Sequence, residues 1–101
     1  MGADFLNRRV REDLQLARNV ATQVAATVER FKLSAREGEV LGLLVLGDSN
    51  VEIAEQLFVS HRTVKNHTGA IYERMGVRNR VEAATVTLLH ELADRSISSA
   101  A

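Results

Sequence analysis

The sequence has 101 residues, no cysteine, and 13 basic against 13 acidic residues, so that its formal net charge is zero. This length allows one domain with an extension, the 46% hydrophobic fraction argues against wholesale disorder, and the lack of cysteine excludes disulfides and thiolate metal sites. The prevalence of alanine, leucine, valine, glutamate and arginine, with no proline, predicts an all-α protein. No apolar run approaches the roughly 18 residues of a membrane span, so we expect a cytoplasmic protein without a membrane partner.

The first predicted helix covers residues 4–32 and carries apolar side chains at alternating steps of four and three residues. Such a heptad stripe is typical of a helix that buries one narrow face along its length. Two interpretations remain open: the helix pairs with its twin in a second copy of the chain, or it folds back on its own domain. The stripe consists of Val10, Leu14, Ala17, Ala21, Val24, Val28 and Phe31.

Capping boxes mark the starts of the next two helices. Ser34 precedes Glu37 by three residues, and Ser49 precedes Glu52 by the same spacing. In this motif the serine hydroxyl accepts from the glutamate backbone N–H, and the glutamate carboxylate accepts from the serine backbone N–H. The sequence therefore predicts two helix N-termini at these serines.

A helix-turn-helix candidate follows, because the short third helix is joined by a turn at residues 58–60 to a fourth helix over residues 60–75. With Val64, Ile71 and Met75 as the buried stripe, the basic and amide side chains of the fourth helix point away from the core. Residues 62–80 contain five basic side chains against one acidic, although the whole chain is neutral. Charge alone fits either a solvated face or a nucleic-acid surface.

The fifth predicted helix begins at a third capping box, formed by Asn79 and Glu82. Its apolar positions continue to Leu92, and the small polar residues 96–101 form a flexible tail. The glycines add a separate expectation. We expect Gly38 and Gly42 to lie on the outer face of the second helix, away from the core.

Between residues 33 and 84, a set of residues at fixed spacing joins the two capping boxes to the helix-turn-helix candidate: Leu33-Ser34, Arg36-Glu37, Glu39-Val40-Leu41, Gly47, Ser49-Asn50, Glu52-Ile53-Ala54, Leu57, Ser60, Thr63-Val64-Lys65, His67, Ile71, Gly76-Val77, Arg80 and Ala83-Ala84. With these residues, the stretch from Leu33 to Ala84 closely resembles the LuxR/FixJ/NarL-type DNA-binding domain. This resemblance implies a four-helix domain whose third helix, the fourth predicted helix of this chain, enters the DNA major groove. The last helix of that domain commonly forms the dimer contact. We therefore expect a long amphipathic helix at 1–32, a helix-turn-helix domain at 33–95 and a tail at 96–101.

By position, the resemblance implies that Lys65 and Asn66 face bases, which suits lysine as a donor to guanine and asparagine as a bidentate partner of adenine. Short hydroxyl and amide side chains near helix N-termini suit phosphate oxygens. The expected DNA-binding residues are Ser49, Asn50, Ser60, Arg62, Thr63, Lys65, Asn66, Gly69, Tyr72 and Arg80.

Gly69 stands in the middle of the fourth helix, where glycine costs about 1 kcal/mol relative to alanine. The resembling domains typically have a polar or basic side chain at this position. One hypothesis is that its absence lets the helix approach the groove closely and weakens base selection at that step. The alternative is that Gly69 has no role in binding and that its cost to helix stability is tolerated.

The function expected from these observations is that of a bacterial, nucleoid-associated transcription regulator, or the output domain of one, acting as a homodimer on double-stranded DNA. Half-sites about 34 Å apart would place two recognition helices in successive major grooves. RNA polymerase is a further candidate partner, and no cofactor, metal or small-molecule substrate is expected. Besides the first-helix stripe, Leu88 and Leu92 are the expected dimerisation residues.

Two other function classes were weighed. An enzyme is disfavoured because His61 and His67 lie on different sides of one helix and no nucleophile, phosphate-loop or metal-ligand spacing accompanies them. A helix-turn-helix-like module that binds protein through residues 10–31, without specific DNA binding, remains the alternative. The dependence of DNA binding on salt separates the two readings.

Overall fold

A computed structural model describes residues 14–89 of the chain. Within this range the protein is all-helical, which confirms the expected fold class. None of the helices in this part of the chain is both long enough and apolar enough to cross a lipid bilayer. In chain order the helices are α1 (Leu14–Phe31), α2 (Ala35–Val45), α3 (Asn50–Leu57), α4 (His61–Met75) and α5 (80–89).

The hydrophobic core is built around α2, which packs against α1, α3 and α4. Helix α4 buries Val64, Ile71 and Met75 in this core, so the predicted stripe of this helix is confirmed. Because these positions share one face, the opposite face of α4 is left to solvent. The core residues are Val20, Val24, Leu33, Val40, Leu41, Leu44, Ile53, Ala54, Val64, Ile71, Met75 and Ala83.

The first two capping boxes form as predicted. The Glu37 backbone N–H donates to Ser34 Oγ at 3.1 Å, and the Ser34 N–H donates to Glu37 Oε1 at 2.8 Å. At α3 the corresponding distances between Ser49 and Glu52 are 3.2 and 2.8 Å. Each box satisfies two backbone donors that a helix N-terminus otherwise leaves unpaired.

The third capping box forms only in part. The Glu82 backbone N–H donates to Asn79 Oδ1 at 2.9 Å, which is the expected cap. The Glu82 carboxylate, however, accepts from the backbone N–H of Arg78 at 2.8 Å instead of that of Asn79. The reciprocal bond is thus displaced by one residue toward the N-terminus.

Helix α1 folds back on the domain, packing against α2. Val20 and Val24 are buried, and Thr27 is fully buried with its hydroxyl donating to the Gln23 carbonyl at 2.8 Å. Ala21, a member of the predicted stripe, is exposed. The buried face is therefore rotated away from the heptad stripe, and the fold-back interpretation holds for the described part of α1. Val10 and Leu92 lie outside the described residues, as does the side chain of Leu14.

The expectation for Gly38 was wrong, because this residue lies in the contact between α1 and α2. Gly38 is buried, and a Cβ atom at this position would lie 2.9 Å from Val28 Cγ2. Gly42 differs: apart from its chain neighbours and the local backbone of α2, no atom lies within 4 Å of the corresponding Cβ position. The sequence does not show which face of α2 receives α1, so it predicts the same outer-face position for both glycines.

Alanine at these two glycines is expected to have opposite effects on the free energy of unfolding. Gly42→Ala should raise it by about 0.5–1 kcal/mol, because alanine costs less entropy in a helix. Gly38→Ala should lower it, because overpacking costs about 1–3 kcal/mol and the branched Val28 side chain has little freedom to move. Urea unfolding followed by circular dichroism measures both values. Equal stabilisation by the two substitutions would contradict the close packing of α1 on α2.

Candidate nucleic-acid interface

A short turn at residues 58–60 joins α3 to α4, as predicted for a helix-turn-helix. Phe58 ends α3 in the left-handed conformation, with φ of 57° and ψ of 44°. This conformation is uncommon for a bulky residue, and the Phe58 side chain is 94% exposed. Ser60 then caps α4, its hydroxyl accepting from the Thr63 backbone N–H at 3.0 Å. The turn fixes how the N-terminus of α4 projects from the domain.

The solvent-facing side of α4 presents three polar side chains that no other described residue engages. Arg62, Lys65 and Asn66 are exposed. Their side chains form no hydrogen bond or ion pair with any residue in the range 14–89. Since their donors and acceptors are not used within this part of the molecule, they are available to an external partner. We call Arg62, Lys65, Asn66 and the exposed Gly69 the recognition face.

Two other basic side chains of the 62–80 segment are held in contacts within the domain. Arg74 donates through Nη1 to the Lys32 carbonyl at 3.0 Å and lies 3.5 Å from the Glu37 carboxylate, which is buried. Arg78 lies 3.7 Å from the carboxylate of Glu82. Arg74 is thus engaged within the domain, which the sequence did not show. Arg78 is 89% exposed, and its pair with Glu82 leaves its charge open to a partner.

Arg80 and Asn50, both expected to contact DNA, are brought together. Arg80 Nη1 donates to the Asp48 carbonyl at 2.7 Å, and Nη2 donates to Asn50 Oδ1 at 3.2 Å. These bonds tie the start of α5 to the turn before α3. Sequence reasoning missed the pairing, because nothing local connects residues 30 positions apart. Arg80 is half-buried and thus positions the α3 N-terminus.

The expected phosphate-contacting hydroxyls sit at the N-termini of α3 and α4. Ser49 and Ser60 are the N-caps, and the hydroxyls of Ser60 and Thr63 are hydrogen-bonded to each other at 2.8 Å. The serine oxygens already accept from the backbone of their own helices. Each helix start therefore offers an anion its remaining first-turn N–H groups. The Ser49 hydroxyl can also donate at α3, whereas the bond between Ser60 and Thr63 leaves one of their two hydroxyl hydrogens for an anion at α4.

The remaining side chains of α4 are less available. Tyr72 is half-buried and packs against the core. His61 is exposed and His67 is half-buried. Within residues 14–89, no group of histidine and carboxylate side chains is arranged to hold a metal ion. The chemistry of this surface is thus hydrogen bonding by cationic and amide groups.

Comparison with known proteins agrees with this geometry. The model of the luxR family of bacterial regulatory proteins matches residues 32–87, a little over half of the chain. Transcriptional regulatory protein LnrK of Bacillus subtilis is 46% identical over 56 residues, covering 55% of this chain and 26% of the relative. The CsgBAC operon transcriptional regulatory protein of Escherichia coli is 41% identical over 59 residues, covering 58% of this chain and 27% of the relative.

A third relative shows the same domain within a much longer protein. HTH-type transcriptional regulator MalT of Yersinia pestis is 41% identical over 61 residues, which cover 60% of this chain and 7% of the relative. The matched region of this chain spans only about a quarter of LnrK and of the CsgBAC regulator. No solved structure matches the chain. The similarity therefore concerns the helix-turn-helix region of these proteins.

Proposed function

The chain belongs to the luxR family of bacterial regulatory proteins, and we infer that it is a sequence-specific DNA-binding transcription regulator, or the output domain of a longer one. The observation that carries this proposal is the recognition face of α4. It places the unengaged side chains of Arg62, Lys65 and Asn66 on the solvent side of a helix anchored by its opposite face. We propose the domain division that the sequence predicts, with a DNA-binding domain at 33–95, a preceding helix at 1–32 and a tail at 96–101.

In the proposed complex, α4 lies in the DNA major groove. Its 15 residues span roughly 22 Å at about 1.5 Å per residue, and the groove, about 12 Å wide, admits one helix. Lys65 would donate to guanine O6 and N7, and Asn66 would pair with adenine. Arg62 lies one turn nearer the N-terminus of α4 and extends the same set of contacts.

Phosphates would be held on either side by the two helix starts. The N-termini of α3 and α4 carry Ser49 and Ser60, and helix N-termini attract anions. Ser60 and Thr63 together would supply one hydroxyl donor to a phosphate, because their other hydroxyl hydrogen lies between them. The side-chain oxygen of Asn50 accepts from Arg80, so the N–H₂ group of the same amide can donate to the DNA phosphate backbone. These contacts fix the register of the protein on the duplex without reading its sequence.

We place the dimer contact on α5. Three large apolar side chains of this helix are exposed, Val81 at 71%, Leu88 at 42% and Leu89 at 49%. They border a groove that α5 forms with Val45 of α2. On α1, by contrast, Val24 is buried in the chain's own core, and Ala17 and Val28 are partly covered. Among the stripe's described side chains the exposed one is Ala21, which offers a partner less apolar area than the leucines of α5. A homodimer formed through α5 would place two recognition helices on a two-fold DNA site.

The dimer contact is tested by comparing charge insertions on the two helices. Leu88→Glu is expected to raise the dimer dissociation constant more than about tenfold, because burying a leucine contributes about 1.5–3 kcal/mol. Ala21→Glu, on the exposed side of α1, should leave the constant unchanged. Sedimentation equilibrium of the full chain measures both. The reverse pattern would move the interface to the first-helix stripe, with its members Ala17 and Val28.

Selection of bound fragments from random DNA tests the function itself. We expect a two-fold consensus, and affinity for it should fall linearly with salt on logarithmic axes as counterions are released from phosphates. Bacterial DNA in the cytoplasm is the proposed setting, with RNA polymerase bound at the same promoter as a second partner. If no sequence is enriched while a protein is captured through residues 10–31, the interaction-module alternative holds instead.

A further inference from the structure

Gly69 is a glycine that the fold does not require. It lies within α4, and the glycines with positive φ in the described part of the chain are Gly47 and Gly76. Apart from its chain neighbours and the local backbone of α4, no atom lies within 4 Å of the position that a Cβ at Gly69 would occupy. Gly69 therefore meets neither of the two usual demands for glycine, a left-handed backbone or close intramolecular packing.

Gly69 also lies among the side chains of the recognition face. One turn before it are Lys65 and Asn66, both exposed and unengaged within residues 14–89. At about 100° per residue, the direction of Gly69 falls between those of Lys65 and Arg62, away from the buried stripe. The bare backbone is thus at the centre of the proposed DNA contact.

We propose that Gly69 is the point of closest approach between the α4 backbone and the DNA. This inference rests on the proposed function. A methyl group there would hold the helix away from the base edges by about the length of one carbon–carbon bond, roughly 1.5 Å. Arg62, Lys65 and Asn66 would then reach the bases in poorer geometry. The base step opposite Gly69 is read through its shape, because no side chain is present to read it.

The competing explanation, that glycine is a tolerated cost, makes a different prediction about alanine. In both cases Gly69→Ala stabilises the helix, since the site is exposed and helical. The same substitution weakens DNA binding only if the α4 backbone at Gly69 lies close to the DNA. Stability and affinity measured on one variant therefore separate the two explanations.

The experiment compares Gly69→Ala with Gly42→Ala in the full chain. Gly42 is the matched control, because it is also helical and lies on α2 outside the recognition face. As at Gly69, no atom beyond the local helix backbone and the chain neighbours lies within 4 Å of its Cβ position. Both variants should raise Tm by about 2–8 °C. Gly69→Ala should weaken binding to the DNA site selected by the wild-type chain by roughly tenfold or more, comparable to the loss of one base contact. Gly42→Ala should bind as the wild type does.

Unchanged affinity of Gly69→Ala, or an equal loss in both variants, overturns the inference while leaving the proposed function intact. A wild-type chain that selects no DNA sequence overturns both. A second variant, Gly69→Lys, supplies a side chain that can read bases. Repeating the selection with it should add a base preference at one step of each half-site, and an unchanged consensus overturns the assignment of Gly69 to that step.

Discussion

Replacing Lys65 with alanine is expected to weaken binding to the selected DNA site by about 1–3 kcal/mol, or roughly 5- to 150-fold. The free energy of unfolding should change by no more than about 0.5 kcal/mol, because Lys65 is exposed and its side chain has no partner among residues 14–89. The loss should be largest on sequences that match the consensus, since a base contact is lost along with the charge. Fluorescence anisotropy measures the affinity of each variant for the selected duplex and for a scrambled duplex. The loss on the scrambled duplex reports the lost charge, and the additional loss on the selected duplex reports the lost base contact.

Arg36→Ala is the control for Lys65→Ala. Arg36 is also an exposed cation, but it lies on α2 and pairs with Glu39 at 3.1 Å. Removing it lowers the positive charge of the chain by the same amount without touching α4. If both variants weaken the selected and scrambled duplexes equally, the effect is one of total charge, and Lys65 does not read a base.

The second large effect is expected in the core beneath the interface. Ile53 of α3 is fully buried, at 0% exposure, and Ile53→Ala should lower the free energy of unfolding by about 2–5 kcal/mol. Small domains have about 5–15 kcal/mol in total, so the variant would lose a large fraction of its stability. DNA binding would fall with it, because α3 and α4 are held together through this part of the core.

Val51→Ala is the matched control, on the same helix but with a side chain that is 55% exposed. Its free energy of unfolding should change by less than about 0.5 kcal/mol. Urea unfolding followed by circular dichroism compares the two variants. A small loss in Ile53→Ala, similar to that of Val51→Ala, would mean that α3 does not pack as the structure shows.

Features decided by neighbouring residues were predictable from the sequence. The capping boxes at Ser34 and Ser49 formed as expected, because each depends on two side chains three residues apart. The buried stripe of α4 was also correct, since helical periodicity determines which of its residues share a face. The fold class followed from these local rules together with the resemblance to known regulators.

Features decided by distant residues were not predictable in this way. The heptad spacing of α1 indicated an apolar stripe, but it did not show that Val20 and Thr27 would be buried in place of Ala21. Gly38 was misplaced for the same reason, since its need for glycine comes from Val28 on another helix. Periodicity defines a face of a helix, while the packing partner decides which part of it is covered.

For the candidate site, too, the sequence predicted which side chains face solvent but not which of them are bonded to distant residues. Sequence spacing correctly placed Lys65 and Asn66 on the solvent side of α4. It did not show that Arg80 is bonded to Asp48 and Asn50, because those partners come from a segment about 30 residues earlier. The pairing shows that Arg80 orients the start of α3, a role that the expected phosphate contact did not include.

The most direct test of the central claim is to map the DNA contact by nuclear magnetic resonance on the 11.1 kDa chain. On addition of the selected duplex, we expect large chemical-shift changes at the side-chain amide of Asn66 and at the backbone amides of residues 61–69. Smaller changes are expected at the N-terminus of α3. Shifts confined to α1 or α5, with the Asn66 amide unmoved at saturating DNA, would contradict the claim.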